Sequence, residues 1–430
     1  MPVSRRTFLA GAVASGAAAK VGGLADVAGA VPQPRATPPP PPGSSGIENI
    51  VVVCMENRSF DHFLGWVPRA NGRQAGLSYL DDEGVSHDTH HLDTFTGCGS
   101  NDPDHSYLGG RRQFNGGAMD GFRRGRNDDY ALGYYGRDDL AMTSQLVDNF
   151  TVCDQWFCSI MAPTFPNRLY THSASTDRVS NTYVQCNLPT IWDRLAAAGI
   201  PASYYYSDLP VLALYGGKYA PIIKPLDAFF MQAAAGVLPA YSYVDPAFLG
   251  EAQNDDHPHA DIRRGQNFVG RIVQALLQSP QWSSTVLVVT YDEWGGFFDH
   301  VVPPRRPDDV ETPGDDPANP DHSQTGFRVP AYIISPFARR GGVATRMFDH
   351  ASILKLVEWR FGLRPLTRRD RAANNPAGVL DFSAPNLDPP ELVLPPDPGH
   401  QSCVGQEGLE NPDSLWRDLA ASPLAARWRT

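Results

Sequence analysis

The chain has 430 residues and a formal net charge of −11, from 36 basic and 47 acidic residues. At roughly 100 to 200 residues per domain, this length is enough for two ordinary domains or for one large α/β enzyme domain. A surface with this excess of negative charge repels a phosphate backbone, so we expect no nucleic-acid partner. The six cysteines are too few and too scattered for a small disulfide-rich scaffold, although an exported protein can form one or two bridges.

Residues 1–30 have the features of an export signal. Arg5 and Arg6 stand in Ser-Arg-Arg-x-Phe-Leu, a weakly apolar stretch of Ala, Gly and Val follows, and Ala28-Gly29-Ala30 forms a small-residue cleavage site. This order predicts a twin-arginine signal peptide, and therefore a protein that the twin-arginine machinery exports to the cell envelope or the medium. The alternative is a disordered basic start with Ala-rich filler. No later segment has the roughly 18 consecutive apolar residues of a spanning helix, so we expect no transmembrane anchor.

The rest of the chain is predicted to be a linker followed by one domain. Residues 31–46 contain five consecutive prolines, which predict a semi-extended linker. We expect a single domain over residues 47–430, with a Pro-rich C-terminal extension and a short closing helix near SLWRDLAA. Strand patterns lie at 48–55, 202–206, 284–293 and 329–335, and amphipathic helix patterns lie at 190–199, 262–279 and 350–361.

Helices that alternate with continuously apolar strands indicate an α/β fold with a mostly parallel central sheet sandwiched by helices. Ligands of such sheets bind beyond the carboxyl ends of the strands. Long irregular loops complete the pattern. The longest, at 303–328, is rich in Pro and Asp and separates two core strands, which is typical of a functional lid or of a disordered excursion.

Two of the apolar strands end in polar pairs. Glu56 and Asn57 follow the first strand, and Asp292 and Glu293 are the last two residues of the strand pattern at 284–293. If these strands are neighbours, three carboxylates converge and repel one another, and a divalent cation with oxygen ligands removes that conflict. The alternative is that each pair caps the helix or turn that follows it.

A third segment supplies a hydroxyl group. Thr164 begins the pattern Thr-x-Pro-x-Arg, which ends at Arg168. A hydroxyl beside a divalent metal can attack phosphorus, because the metal lowers the pKa of the alcohol and offsets the charge of the phosphate. The alternative is a Pro-rich loop that contains an incidental threonine.

Several long segments resemble those of a known family. IENIVVVCMENRSFDHFLG, APTFPNR, TVLVVTYDEWGGFFDHVVPP and GFRVPAYIISPFARRGGV, followed by DHASILKLVE, are similar to the bacterial phosphoesterase family that contains non-specific phospholipases C and respiratory-burst-inhibiting acid phosphatases. That family is part of the alkaline phosphatase-like superfamily. The resemblance covers about residues 47–363, with the motifs in the family's order. The longer phospholipases of the family carry additional C-terminal β domains, and we expect none in the Pro-rich segment after the last motif.

The resemblance implies roles for individual residues. Metal ligands are implied at Glu56, Asn57, Asp292 and Glu293. Thr164 is implied as the nucleophile that becomes phosphothreonine, with Asn167 near the phosphoryl oxygens. The implied active-site histidines are His105, His257 and, as a further candidate, His300. His259 is a possible substitute for His257. An imidazolium with a pKa near neutral can protonate the leaving alkoxide, and the sequence leaves open which histidine does so.

The resemblance implies a secreted phospholipase C that hydrolyses the glycerol-side phosphodiester of phosphatidylcholine-like lipids at a membrane or micelle surface. The alternatives are an acid phosphatase that uses the same site and a catalytically inactive lipid- or metal-binding protein. One divalent metal ion is expected as the cofactor. Oxygen ligands favour Ca, Mn or Mg over Zn.

Overall fold

The structure is a computed structural model, and it describes residues 38–312, 314–401, 403 and 414–428. The predicted signal peptide and the first part of the predicted linker lie outside the described residues. Pro42–Ser44 of the linker form one turn of 3-10 helix. Among the described residues, no helix has both the length and the apolar character needed to cross a lipid bilayer.

An eight-stranded sheet forms the centre of the domain. Its strands in chain order are β1 (Asn49–Met55), β2 (Thr151–Cys153), β3 (Ala202–Tyr206), β4 (Ile223–Pro225), β5 (Tyr241–Val244), β6 (Thr285–Tyr291), β7 (Ala331–Ile334) and β8 (Gly342–Ala344). Their order in space is β8-β2-β7-β6-β1-β5-β3-β4. Only β7 runs antiparallel to its neighbours, β6 and β2, and the other pairs are parallel. The predicted mostly parallel sheet is confirmed.

Ten α-helices lie among the described residues. They are α1 (Phe60–Leu64), α2 (Tyr107–Phe114), α3 (Ala141–Asn149), α4 (Thr164–Ser173), α5 (Ile191–Ala197), α6 (Leu226–Ala235), α7 (Ile262–Leu277), α8 (Ala351–Phe361), α9 (Arg368–Ala372) and α10 (Ser414–Ala421). Helices α3, α6 and α7 pack together, and α4 packs with α5 and α8, so two groups of helices flank the sheet. The predicted helices at 190–199, 262–279 and 350–361 correspond to α5, α7 and α8.

Local sequence explains where these helices begin. Thr190 and Asp193 form a capping box at the start of α5, and Asp261 caps α7 through the backbone N–H of Arg263. Helix α8 ends at Gly362, which adopts the left-handed conformation that glycine tolerates best. Predicted and observed ends therefore agree within a few residues.

Short strands and 3-10 turns complete the described structure. Three two-stranded sheets join Ser78–Leu80 to Ser86–Asp88, His90–His91 to Gly133–Tyr134, and Trp156–Phe157 to Phe348–Asp349. The remaining 3-10 turns are Asn115–Gly117, Asp129–Leu132, Val211–Tyr215, Ala220–Ile222, Gly250–Ala252, Trp282–Ser284, Pro376–Val379 and Pro423–Trp428.

Strands β1 and β6 lie at the centre of the sheet, and every residue of both strands is buried. Each has a neighbour on both sides and helices over both faces, so apolar side chains are favoured at every position and not only at alternate ones. The two strands pair in parallel, with Met55 opposite Tyr291. Their carboxyl ends therefore lie at the same edge of the sheet.

One disulfide bond links distant parts of the described chain. Cys98 and Cys403 are bonded across a separation of 305 residues. The other cysteines, Cys54, Cys153, Cys158 and Cys186, are buried free thiols. The bond connects the C-terminal segment to the loop that precedes His105.

The loop over 303–328 has little regular structure in its described part. An isolated bridge joins Arg305 to Gln324, and residues 321–323 and 325–328 are buried. The backbone carbonyl of His322 accepts a hydrogen bond from Arg369. The end of this loop is therefore packed into the domain.

Candidate active site

The two predicted polar pairs meet beyond the ends of β1 and β6. Glu56 and Asn57 follow Met55, and Asp292 and Glu293 follow Tyr291, its partner across the strand pair. All four side chains have no exposed surface. The Asn57 backbone N–H donates to Asp292 Oδ1 at 3.1 Å. The expected convergence of the two pairs is present in the structure.

Two glycines allow the segments around this point to approach closely. A Cβ atom on Gly295 would lie 2.2 Å from the carbonyl oxygen of Asn57, and one on Gly296 would lie 2.6 Å from the carbonyl carbon of Pro103. Both glycines also have positive φ angles. Asn57 itself has a φ of 58°, which asparagine tolerates better than most residues. The glycine pair therefore lets the loop that carries His105 reach the end of β6.

Arg168 lies among the carboxylates and was not predicted as a site residue. This fully buried side chain extends from α4, with its Nε 3.1 Å from Asp292 Oδ2 and its Nη2 3.5 Å from Glu56 Oε1. Its Nη1 lies 3.4 Å from Asp245 Oδ1 and also donates to the carbonyl of Cys54. The guanidinium offsets part of the negative charge. Its position one helical turn after Thr164 is the sequence signal that could have identified it.

Four buried oxygen atoms of the predicted site residues have no hydrogen-bond partner, and one of them, Glu56 Oε1, has only the ion pair with Arg168 at 3.5 Å. They belong to the side chains of Glu56 (Oε1), Asn57 (Oδ1), Thr164 (Oγ1) and Glu293 (Oε1). Leaving a buried polar atom without a hydrogen bond costs about 1 to 3 kcal/mol, so several such atoms among the predicted site residues need an explanation. Carboxylate, amide and hydroxyl oxygens are ligands of hard divalent cations. The residues present therefore fit a metal ion.

The protonation of the carboxylates agrees with this interpretation. Burial raises the pKa of Glu56 and of Glu293 well above the usual range, and the neighbouring Asp292 raises both further. Burial also raises the pKa of Asp292, against the opposing charge of Arg168. A divalent cation would keep all three carboxylates ionised, because an adjacent positive charge favours the charged form.

Thr164 is the first residue of α4 and has no exposed surface. The free backbone N–H groups at a helix N-terminus favour a bound anion such as a phosphoryl group. The Phe165 N–H at this end of α4 already donates to Asn181 Oδ1. A substrate can reach Thr164 only if neighbouring segments move.

Asn167 holds the loop that leads to the nucleophile. Its Oδ1 accepts from the Ile160 N–H at 3.0 Å, and its Nδ2 lies 3.0 Å from the Ile160 carbonyl and 2.7 Å from the Ala162 carbonyl. These bonds occupy the side-chain amide and fix the backbone that precedes Thr164. A contact between Asn167 and a phosphoryl oxygen stays a prediction.

His105 and His257 lie together beside the metal-ligand candidates. Their ring centres are 5.8 Å apart. His105 Nδ1 lies 2.8 Å from the Pro103 carbonyl, and its Nε2 lies 3.4 Å from Asn57 Nδ2 and 3.9 Å from Glu293 Oε1. A bond from Nδ1–H to a carbonyl leaves Nε2 to exchange protons in the site.

Asp102 and His257 complete this group. The ligand atoms of Asp102, His105 and His257 lie within 4.8 Å of one another. Burial raises the pKa of Asp102 to about 6. Burial also lowers the pKa of His257 well below its usual value, and the nearby His105 lowers it further. Asp102 was not predicted as a site residue, and its position three residues before His105 was the available signal.

His300 makes its contacts in a different group of residues. Its Nδ1 lies 2.5 Å from Asp61 Oδ2, and its Nε2 lies 3.0 Å from Asn71 Oδ1. Arg328 binds both Asp61 and Asp299, so these buried carboxylates already have a cationic partner. In the described part of the chain, the His300 side chain has hydrogen-bond contacts with Asp61, Asn71 and Arg328, and none with Thr164 or the ligand candidates. Its catalytic role stays a prediction.

His259, the possible substitute for His257, lies with its Nε2 2.9 Å from the carbonyl of Ser100. Its ring centre is 6.3 Å from that of Tyr130. His257 is therefore the member of the pair that the structure places against His105.

Comparison with known proteins identifies the family of the chain. The model of the phosphoesterase family matches residues 47–364. "Non-specific phospholipase C3" of Arabidopsis thaliana is 32% identical over 82% of this chain and 76% of that protein. "Phospholipase C B" of Mycobacterium tuberculosis is 32% identical over 94% of this chain and 91% of that protein.

A solved structure of an alkaline phosphatase superfamily protein from Vibrio parahaemolyticus covers 76% of this chain and 70% of its own, at 12% identity and a TM-score of 0.39. The family match and the sequence relatives confirm the predicted resemblance and the prediction of an enzyme that hydrolyses phosphoric esters. The chain belongs to the phosphoesterase family.

Proposed function

We propose that the protein is an exported phospholipase C that hydrolyses the glycerol-side phosphodiester of phosphatidylcholine-like lipids at a membrane or micelle surface. The names of the relatives support this proposal, since several are called phospholipase C and are similar over most of their length. The observation that carries it is the set of unpaired buried oxygens that includes the hydroxyl of Thr164. Export rests on the sequence of residues 1–30.

One divalent metal ion would be held by Glu56, Asn57, Asp292 and Glu293. Two backbone N–H groups already donate to Asp292 Oδ1 and Arg168 binds Oδ2, so Oδ2 is the oxygen of Asp292 with a second lone pair for a metal. A bound ion would lower the pKa of the attacking hydroxyl and offset the charge of the phosphate. The oxygen ligands favour Ca, Mn or Mg over Zn.

Thr164 would act as the nucleophile. Its Oγ1, as the alkoxide, forms a bond to phosphorus while the bond from phosphorus to the glycerol oxygen breaks, and phosphothreonine that is still esterified with choline remains on the enzyme. The N-terminus of α4 stabilises the phosphoryl oxygens through its partial positive charge. Water then hydrolyses the phosphothreonine and releases phosphocholine. Asn167 would keep the loop before Thr164 in place and approach the phosphoryl group.

His105 is the first candidate for the proton transfers. Its Nδ1 is fixed by the carbonyl of Pro103, and its Nε2 faces Asn57 and Glu293. The protonated ring gives a proton to the diacylglycerol oxygen as it leaves, and the neutral ring later takes one from water. His257 is the second candidate because its ring lies beside that of His105. His300 is the third, from its separate position next to Asp61.

The test compares three substrates in parallel. The native enzyme is assayed on phosphatidylcholine, sphingomyelin and p-nitrophenyl phosphate, each with and without a chelator. Chelator-sensitive release of phosphocholine from phosphatidylcholine supports the proposal. Release of phosphate from the monoester alone identifies an acid phosphatase instead. No turnover of any substrate, with metal bound, identifies an inactive binding protein.

A further inference from the structure

The C-terminal helix α10 contacts the candidate metal site directly. Trp416, on this helix, is only 2% exposed. Its indole N–H donates to Glu56 Oε2 at 3.0 Å, across 360 residues of sequence. The ring also stacks on Phe248 at 3.9 Å between centroids and meets the edge of Phe165, which follows Thr164, at 5.4 Å.

This bond gives the two oxygens of Glu56 different roles. Oε2 accepts from Trp416, while Oε1 has no hydrogen-bond partner and forms an ion pair with Arg168, whose Nη2 lies at 3.5 Å. An indole N–H can only donate, so it fixes one oxygen as an acceptor and restricts rotation of the carboxylate. Hydrogen bonds of this kind to a ligating carboxylate orient it toward the metal.

The rest of the C-terminal segment is attached by other contacts. Tyr183 Oη donates to the carbonyl of Leu415 at 3.2 Å. The turn over Pro423–Trp428 packs against the turn over Val211–Tyr215. The bond between Cys98 and Cys403 ties the segment covalently to the domain. Loss of the indole N–H alone therefore leaves α10 with its other attachments.

We propose that Trp416 is a positioning residue for Glu56, so that α10 completes the metal site from the far end of the chain. The proposal rests on the proposed function, because it takes Glu56 to be a metal ligand. Phe248 extends the same arrangement: it stacks on Trp416, and its ring centre lies 5.4 Å from the guanidinium carbon of Arg168. The indole therefore binds the carboxylate of Glu56 and also packs on Phe248, the ring that contacts Arg168.

Three variants separate this role from simple packing. Trp416→Phe keeps an aromatic ring against Phe248 and removes the N–H. Trp416→His removes more packing but retains a ring N–H at nearly the same distance from the backbone. Trp282→Phe is the matched control, because Trp282 is 5% exposed and its N–H has no hydrogen-bond partner in the described part of the chain.

The main measurement is the affinity for Mn²⁺ alone, by equilibrium dialysis of chelator-treated full-length protein. We expect Trp416→Phe to bind about 10- to 100-fold more weakly than the native protein, the range seen when such supporting bonds are lost. Trp416→His should bind more tightly than Trp416→Phe, and Trp282→Phe should match the native protein. In turnover, kcat of Trp416→Phe should fall at low Mn²⁺ and recover at excess Mn²⁺.

Equal Mn²⁺ affinity of Trp416→Phe and the native protein overturns the proposal and leaves the proposed function standing. An affinity of Trp416→His below that of Trp416→Phe also overturns it, since packing alone predicts that order. Absence of Mn²⁺ binding by the native protein refutes the metal site itself. If Trp416→Phe fails to fold, NMR spectra of the native protein labelled with ¹⁵N-tryptophan are recorded during a titration with Ca²⁺. The indole signal of Trp416 is assigned as the one that is absent from the spectrum of Trp416→His. That signal must shift more than that of Trp282, and equal shifts overturn the proposal.

Discussion

Replacement of Thr164 by valine tests the mechanism most directly, because the two side chains have nearly the same shape and differ by one hydroxyl. We expect Thr164→Val to abolish turnover and to leave the fold intact. Loss of the nucleophile should reduce kcat by at least about 1,000-fold, which corresponds to about 4 kcal/mol of activation free energy.

The structure also predicts the effect on stability. Thr164 Oγ1 is buried and unpaired, so the native protein without metal carries the cost of a desolvated hydroxyl. Removal of that hydroxyl should leave the free energy of unfolding unchanged or raise it by about 1 kcal/mol. Thr171, on the same helix, donates to the carbonyl of Arg168 at 2.7 Å. Thr171→Val should instead lower stability by about 1 kcal/mol.

The assays are phosphocholine release, urea unfolding of the metal-free protein, and mass spectrometry of acid-quenched enzyme. Thr164→Ser retains the hydroxyl and should keep measurable turnover, which makes it the matched control. The native enzyme quenched during turnover of phosphatidylcholine should carry a phosphocholine group on the peptide that contains Thr164. Turnover of Thr164→Val above a tenth of the native rate refutes the reasoning. A large loss of stability in Thr164→Val contradicts the assignment of its hydroxyl as unpaired.

The remaining predictions concern the histidines, a buried glutamate and the metal. His105→Ala should lower kcat without a large change in stability. His300→Ala should instead lower the free energy of unfolding by about 1 to 3 kcal/mol, because it removes a partner of buried Asp61. Equal losses of kcat in His105→Ala and His300→Ala would contradict the different roles given to the two histidines. Burial and a neighbouring aspartate raise the pKa of Glu358 from 4.5 to about 9, so the folded protein keeps a proton that the unfolded chain loses above pH 4.5. The buried Glu358 side chain therefore destabilises the fold increasingly as pH rises from 4.5 to about 9. Glu358→Gln should be more stable than the native protein by about 3 kcal/mol at pH 7 and equal to it at pH 4. A stability difference of the same size at both pH values would refute this prediction. Metal at 100 times its Kd should raise the free energy of unfolding by about 2.7 kcal/mol over the chelated protein, and identical thermal unfolding with and without metal would exclude a site of that affinity.

The local patterns of the sequence were sufficient for the central part of the fold. Nearly continuous apolar residues predicted β1 and β6, because strands buried on both faces favour apolar side chains at most positions. The abrupt change to Glu56 and Asn57, and to Asp292 and Glu293, marked the strand ends. Parallel pairing then brought the two ends together, as expected for adjacent strands.

The sequence by itself determined these strands, the polar pairs that follow them and the family to which the chain belongs. Only the tertiary structure decided that Arg168 lies among the carboxylates, that His105 borders the site while His300 binds Asp61, and that Trp416 reaches Glu56. The physical reason is distance along the chain. Strand and helix periods are set by neighbouring residues, whereas these contacts join segments up to 360 residues apart, and no local pattern encodes which distant groups pack together.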